Sequence, residues 1–256
     1  MGYQYRIIHK VLSRQTTDPR KIKQTMNQFP FTLEQENAAR EFLKSWNNPR
    51  AHGIKCWYCD ANNIEKGSET LFIGLNPGGN DDSKKLDERA GYLESPYSVP
   101  GFNSWIDEEW PDRGPSHQAA VQRVFQTLYS DGWENKLRTS ACTNIFPVRT
   151  ETTDAIDKSG WLFAERWFGN ILKHVRPKFV ICNGNNQTNS AWAYLVKHYN
   201  CAMISEIDIG ANAFVKKGTF ELNGERCSVL GLPNLPRFMR PRLIDAIQQL
   251  VKCKVI

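Results

Sequence analysis

The stretch Thr70-Leu71-Phe72-Ile73-Gly74-Leu75-Asn76-Pro77-Gly78-Gly79 decides how this 256-residue chain folds. A short apolar run stops at Asn-Pro-Gly-Gly, which reads as a strand buried on both faces and closed by a polar turn. Three further runs follow the same pattern. Residues 140–146 (SACTNIF) pass through Thr143-Asn144, 178–182 (KFVIC) end at Asn183-Gly184, and 227–232 (CSVLGL) end at Pro233-Asn234-Leu235-Pro236. Between the runs lie segments of helical periodicity. They cover 32–46, opened by Thr32-Leu33-Glu34-Gln35 as a capping box, then 117–129, 159–175, 187–199, and 241–251 behind Pro241. Residues 203–222 read as short strands. Residues 80–115, rich in Gly, Pro and aromatics, read as a structured functional loop. Apolar strands alternating with amphipathic helices predict a three-layer α/β/α sandwich around a central, mostly parallel sheet of about four strands. In such sheets ligands sit beyond the carboxyl ends of the strands. Residues 1–50 are expected to form an N-terminal helical extension and 51–256 one compact domain.

Composition narrows the class. Hydrophobic residues make up 40% and aromatics 11%, enough to fill a core, and no apolar run approaches the ~20 residues of a membrane span. The start, MGYQYRIIHKVLSRQ, lacks the continuous apolar stretch of a signal peptide. Seven cysteines, irregularly spaced apart from Cys56 and Cys59, suit a reducing cytoplasm better than a disulfide framework. The net charge of +6 is unevenly spread. Residues 1–50 hold nine Lys/Arg against four Asp/Glu, and 213–256 hold eight against three. Two basic ends suit a DNA-facing surface, and equally suit ordinary solvated helices.

The turn Gly74-Leu75-Asn76-Pro77-Gly78 is neither a dinucleotide fingerprint nor a Walker A loop, because the glycine spacing and the Lys-Ser/Thr pair are missing. Asn-Pro-Gly also makes good turns with no catalytic purpose. The set is more informative than the turn: GLNPG after a strand, Thr143-Asn144 with its Asn 68 positions beyond Asn76, an apolar strand ending in Asn-Gly, then Leu-Pro-Asn near the C-terminus. This order resembles the uracil-DNA glycosylase superfamily across roughly residues 68–250. It is most similar to the branches with G-x-N-P-G, in which Asn stands where other branches carry Asp.

The resemblance implies a DNA glycosylase that flips a pyrimidine nucleotide out of the duplex and hydrolyses its N-glycosidic bond. Asn76 would orient the attacking water through its carbonyl oxygen, a poorer proton acceptor than Asp. Asn144 would read the Watson–Crick edge of the flipped base with its amide. Leu232 occupies the place of a motif histidine, which favours an easily leaving base or stabilisation by backbone N–H groups. Asn234 would meet a phosphate, Arg237 or Phe238 would fill the space left by the flipped base, and Arg240 and Arg242 would contact phosphates. Tyr92, Tyr97 and Phe102 are candidates to stack on the base. Gly78, followed by Gly79, stands where uracil-specific relatives carry a Tyr against C5 of the pyrimidine. Either the glycines open room for a 5-substituent, even a glycosylated 5-hydroxymethylcytosine, or they satisfy positive φ in the turn.

Cys56 and Cys59 form a C-x-x-C, the weak metal candidate of this chain. A relative branch holds an iron–sulfur cluster with such a pair, but Cys142 and Cys182 are not spaced to complete it; a zinc site with His52 is a second possibility. No cofactor is expected. No Lys lies in the motifs to form a Schiff base, so the expectation is a monofunctional, monomeric, cytoplasmic enzyme with DNA as partner. Its setting would be repair, the superfamily's usual one, or antiviral defence against phage DNA carrying bulky modified cytosine. The rivals are a non-catalytic nucleic-acid-binding protein on the same fold and a hydrolase of small nucleosides or nucleotides.

Overall fold

In the computed structural model, residues 29–77, 96–108, 114–150, 152–235 and 241–252 are described. In chain order the elements are α1 (Pro30–Ser45), β1 (Ala51–Ile54), α2 (Ala61–Glu65), β2 (Thr70–Gly74), α3 (Ser104–Asp107), α4 (Gly114–Tyr129), α5 (Trp133–Arg138), β3 (Ala141–Asn144) and β4 (Val148–Thr150). There follow α6 (Lys158–Val175), β5 (Phe179–Asn183), α7 (Ala191–Tyr199), β6 (Ala202–Gly210), β7 (Ala213–Leu222), β8 (Glu225–Leu232) and α8 (Pro241–Lys252).

The central sheet has the order β3-β2-β5-β8-β7-β6. Its first four strands are parallel, joined through Gly74↔Asn144, Ile73↔Cys182 and Asn183↔Leu232. Helices cover both faces, giving the three-layer sandwich. The sheet exceeds the expected four strands and is mixed, because 203–222 is not a set of short strands. It forms the nine-residue β6 and ten-residue β7, antiparallel to each other, with β7 antiparallel to β8. Asn223 and Gly224 at φ 54° and 82° make the two-residue turn between β7 and β8, and Ala211 and Asn212 at φ 56° make the one before it. Two successive positive φ values match the twist that two-residue hairpins require. A separate pair, β1 with β4, is antiparallel.

β2, β5 and β8 are interior strands and β3 an edge strand, all four at apolar runs of the sequence. Leu71, Phe72, Ile73, Val180, Ile181 and Cys182 are at most 1% exposed, each large apolar side chain contributing on the order of 1.5–3 kcal/mol. On one face α7 lays Trp192 flat on the sheet. A Cβ at Gly231 would stand 2.5 Å from its ring, and one at Gly218 would stand 2.8 Å from it. Those two glycines are therefore clearance for an indole.

The capping box at Thr32 is a correction. The helix starts earlier, at Pro30, and Thr32 is fully buried. Its N–H and its hydroxyl both donate to Glu65 Oε1, at 2.7 and 2.9 Å, so the cap of α1 is supplied by α2 from 33 residues away. A carboxylate placed there answers the free N–H groups and positive end of a helix start. The described residues include no helix long and apolar enough to cross a membrane.

Candidate functional site at the carboxyl edge of the sheet

The order of connections creates a crevice. From β2 the chain goes to β3 on one side, through α3, α4 and α5, and then returns through α6 to β5 on the other side of β2. The carboxyl end of β2 is thus the switch point of the sheet, where ligands of open α/β folds bind. That end carries Leu75 and Asn76.

One row of the sheet runs Asn144, Gly74, Asn183, Leu232. Two carboxamides therefore flank a position without a side chain. The absence is required, since a Cβ on Gly74 would fall on Asn144 Oδ1. Asn144 is 6% exposed and donates from Nδ2 to the Tyr58 hydroxyl at 2.9 Å. Tyr58 stacks on Trp105, with centroids 5.4 Å apart and planes 12° from parallel, and Lys55 Nζ lies 4.8 Å over the tyrosine ring. Lys55 in turn pairs with Glu108 at 2.6 Å.

Asn183 is held from two sides. Its Oδ1 accepts from Leu235 N at 3.2 Å, and its Nδ2 meets His117 Nε2 at 3.0 Å. The His117 ring also makes an edge contact with Trp105 at 5.0 Å. Burial pulls its pKa down to about 4, so the imidazole is neutral at physiological pH. An unbroken line of contacts therefore runs along the edge from Leu235 through Asn183, His117, Trp105 and Tyr58 to Asn144.

Asn76 follows β2 and is half-buried. Its Nδ2 donates to Thr150 Oγ1 at 2.8 Å, while that hydroxyl donates onward to the Thr152 carbonyl at 2.9 Å. The threonine hydroxyl is thus an acceptor towards Asn76, which sets the amide orientation. Oδ1, the acceptor atom, accepts no hydrogen bond among the described residues.

The other sequence candidates are distributed differently. Tyr97 is not brought to Asn76 or Asn144 by any contact described. Its hydroxyl bonds Glu36 on α1 and its ring packs beside Phe29 and Ala61. Phe102 is half-buried, and its carbonyl accepts from Asp60 N at 2.7 Å, tying the 96–108 segment to the chain before α2. Leu232 is fully buried, and Asn234 is exposed just beyond it at the end of β8. Arg242 is exposed in the first turn of α8 and lies over the β6–β7 turn, its Nη1 3.1 Å from where a Gly210 Cβ would stand. Gly78, Gly79, Tyr92, Arg237, Phe238 and Arg240 lie outside the described residues.

Cys56 and Cys59 belong to a short extended segment beside β3, bridged through Trp57↔Thr143. Cys59 Sγ accepts from Cys142 N at 3.1 Å, and burial raises the Cys142 thiol well above its ordinary range. The described residues contain no group of three His, Cys, Asp or Glu able to hold a metal. What that segment delivers to the site is Tyr58. Sequence reasoning weighed the two cysteines and passed over the tyrosine between them; Asn183 and His117 were likewise given no role. The only signal for Asn183 was its place at a strand end, shared with Asn76 and Asn144.

No family profile matches this sequence, and no curated protein matches it.

Proposed function

We propose that the protein is a monofunctional DNA glycosylase that hydrolyses the N-glycosidic bond of a flipped, 5-modified pyrimidine nucleotide. The observation that carries this reading is Asn76 at the switch point of the parallel strands, its Nδ2 bound to Thr150 and its Oδ1 left to accept. An oriented carbonyl oxygen is suited to hold a water against the sugar carbon as the bond to the base breaks. Asn144, bound by Tyr58 in the adjacent strand end, keeps one N–H and its carbonyl for the edge of a base. Asn183 is added to these as a second amide in the same row, with neutral His117 behind it. Leu232 lies in the core, so the position of the motif histidine supplies no side chain to offset negative charge on the leaving base. A weakly basic, easily expelled base fits that arrangement. The lack of side chains at Gly78 and Gly79 in the sequence favours a substituent at C5, and bulky phage-type cytosine modifications are the largest candidates.

The test combines one variant with one substrate panel. Asn76→Ala should slow single-turnover excision by ~10²–10⁴-fold, the scale of a lost positioning or acid–base group, with little change in DNA affinity. The panel comprises oligonucleotides carrying plain, methyl-, hydroxymethyl- and glucosyl-hydroxymethyl-pyrimidines, scored by strand cleavage after alkali. Asn76→Ala activity within a few-fold of wild type removes the assignment of Asn76. Excision of uracil alone removes the 5-modified substrate. No abasic product on any oligonucleotide leaves a binding protein or a small-nucleotide hydrolase.

A further inference from the structure

On the opposite face of the sheet from His117, α6 and α7 diverge to leave a groove of about 340 Å³. We propose that this groove binds a single-stranded segment of nucleic acid, with one base stacked on Trp161 and flanking phosphates on Lys158 and Lys197. The inference stands independently of the reading of Asn76.

Four observations carry it. Trp161 and Leu162 both line the groove; Leu162 is 52% exposed, and Trp161, packed on one side against the core and Tyr194, is only half-buried. An indole face on a concave surface is a platform for any base, because every base has a π-face. Lys158 on α6 and Lys197 on α7 are both exposed at the rims, one near the start of its helix and one near the end of its own. Two cations set along a groove, with an aromatic between them, follow a strand rather than a single anion.

Tyr194 supplies the third observation. It is 4% exposed and lines the groove, and its hydroxyl is buried with no hydrogen-bond partner among the described residues. Buried hydroxyls are nearly always paired, so one left over at a groove wall points to an occupant. The fourth is the start of α7. Thr188, Asn189 and the N-cap Ser190 border the groove, adding polar donors and the positive end of a nine-residue helix. Among the described residues of the lining the one carboxylate is Glu165, 3.8 Å from His198, the neighbour of Lys197 in the chain. Both helices begin at the carboxyl edge of the sheet, so a strand leaving that edge can enter the groove directly.

The experiment uses the full chain and five-nucleotide DNA and RNA probes carrying one 5-iodouracil, cross-linked by light and mapped by mass spectrometry. The expected adduct is on the peptide containing Trp161. Trp161→Ala should weaken binding, read by fluorescence anisotropy, roughly tenfold. Lys158→Glu with Lys197→Glu, both on the surface and harmless to the core, should weaken it further and reduce the slope of log K against log salt by about 0.7 per lost contact. Adducts only elsewhere, or wild-type affinity in the double-charge variant, overturn the proposal. Displacement of the probe by thymidine monophosphate at equal concentration overturns the strand and leaves a mononucleotide. Excision without a Trp161 adduct leaves the glycosylase reading intact and removes this one; the adduct without excision does the reverse.

Discussion

Because the Leu235 N–H needs an acceptor, Asn183 turns Oδ1 towards it and presents Nδ2 to His117. The imidazole must then accept at Nε2, and protonation there would set a donor against a donor. Burial acts in the same direction, and the folded-state pKa of about 4 lies below the ordinary 6.5. Between those values the unfolded chain takes up a proton that the folded chain refuses. The contribution is therefore fully present above pH 6.5 and is lost as pH falls towards 4, by up to about 3 kcal/mol. Urea midpoints at pH 7 and pH 4.5 should show a smaller acid loss in His117→Gln than in wild type. Equal losses would mean that His117 does not govern this window.

Trp192 on Gly218 and Gly231 shows the same dependence between elements. A methyl group at 231 has no room, so Gly231→Ala should destabilise by about 1–3 kcal/mol despite the usual advantage of Ala over Gly in a strand. Trp192→Phe in the Gly231→Ala background should recover part of that loss; thermal or urea unfolding of the four variants in the cycle measures it. The parallel strands were legible in the sequence because burial on both faces forces an uninterrupted apolar run. The β6–β7–β8 meander was underread, although Asn223-Gly224 is a strong hairpin signal. Lys216 and Lys217 within β7 hid its alternation. Both are nonetheless buried, the first donating to the Asn185 carbonyl at 3.0 Å, the second to the Leu250 carbonyl at 3.4 Å. At Thr32 the local pattern was right and its meaning wrong, because the partner of that hydroxyl comes from another helix.

Over the whole molecule, the carboxyl edge extends from Asn144 on β3 to the β6–β7 turn under Arg242. Four strand spacings separate β2 from β6, roughly 19 Å, a span suited to several phosphates of one duplex. If the C-terminal arginines neutralise phosphates, Arg237→Ala, Arg240→Ala and Arg242→Ala together should lower the salt slope of DNA binding by about one unit per lost contact. An unchanged slope would set these residues away from DNA. Asn76 and Asn144 were legible as strand-end asparagines. Tyr58, Asn183 and His117 were not, since their meeting depends on sheet register and on how the 96–108 segment and α4 fold back over the edge.

The partners of the three asparagines have a thermodynamic consequence. Asn76, Asn144 and Asn183 are each tethered by the protein itself, through Thr150, Tyr58 and His117. Their rotamer freedom is surrendered when the chain folds, so an incoming ligand need not order them. Association should then carry a smaller entropic penalty than three free amides would impose. Loosening a tether, as in Tyr58→Phe, would transfer that ordering cost to the binding step while leaving the list of contacts to the ligand unchanged.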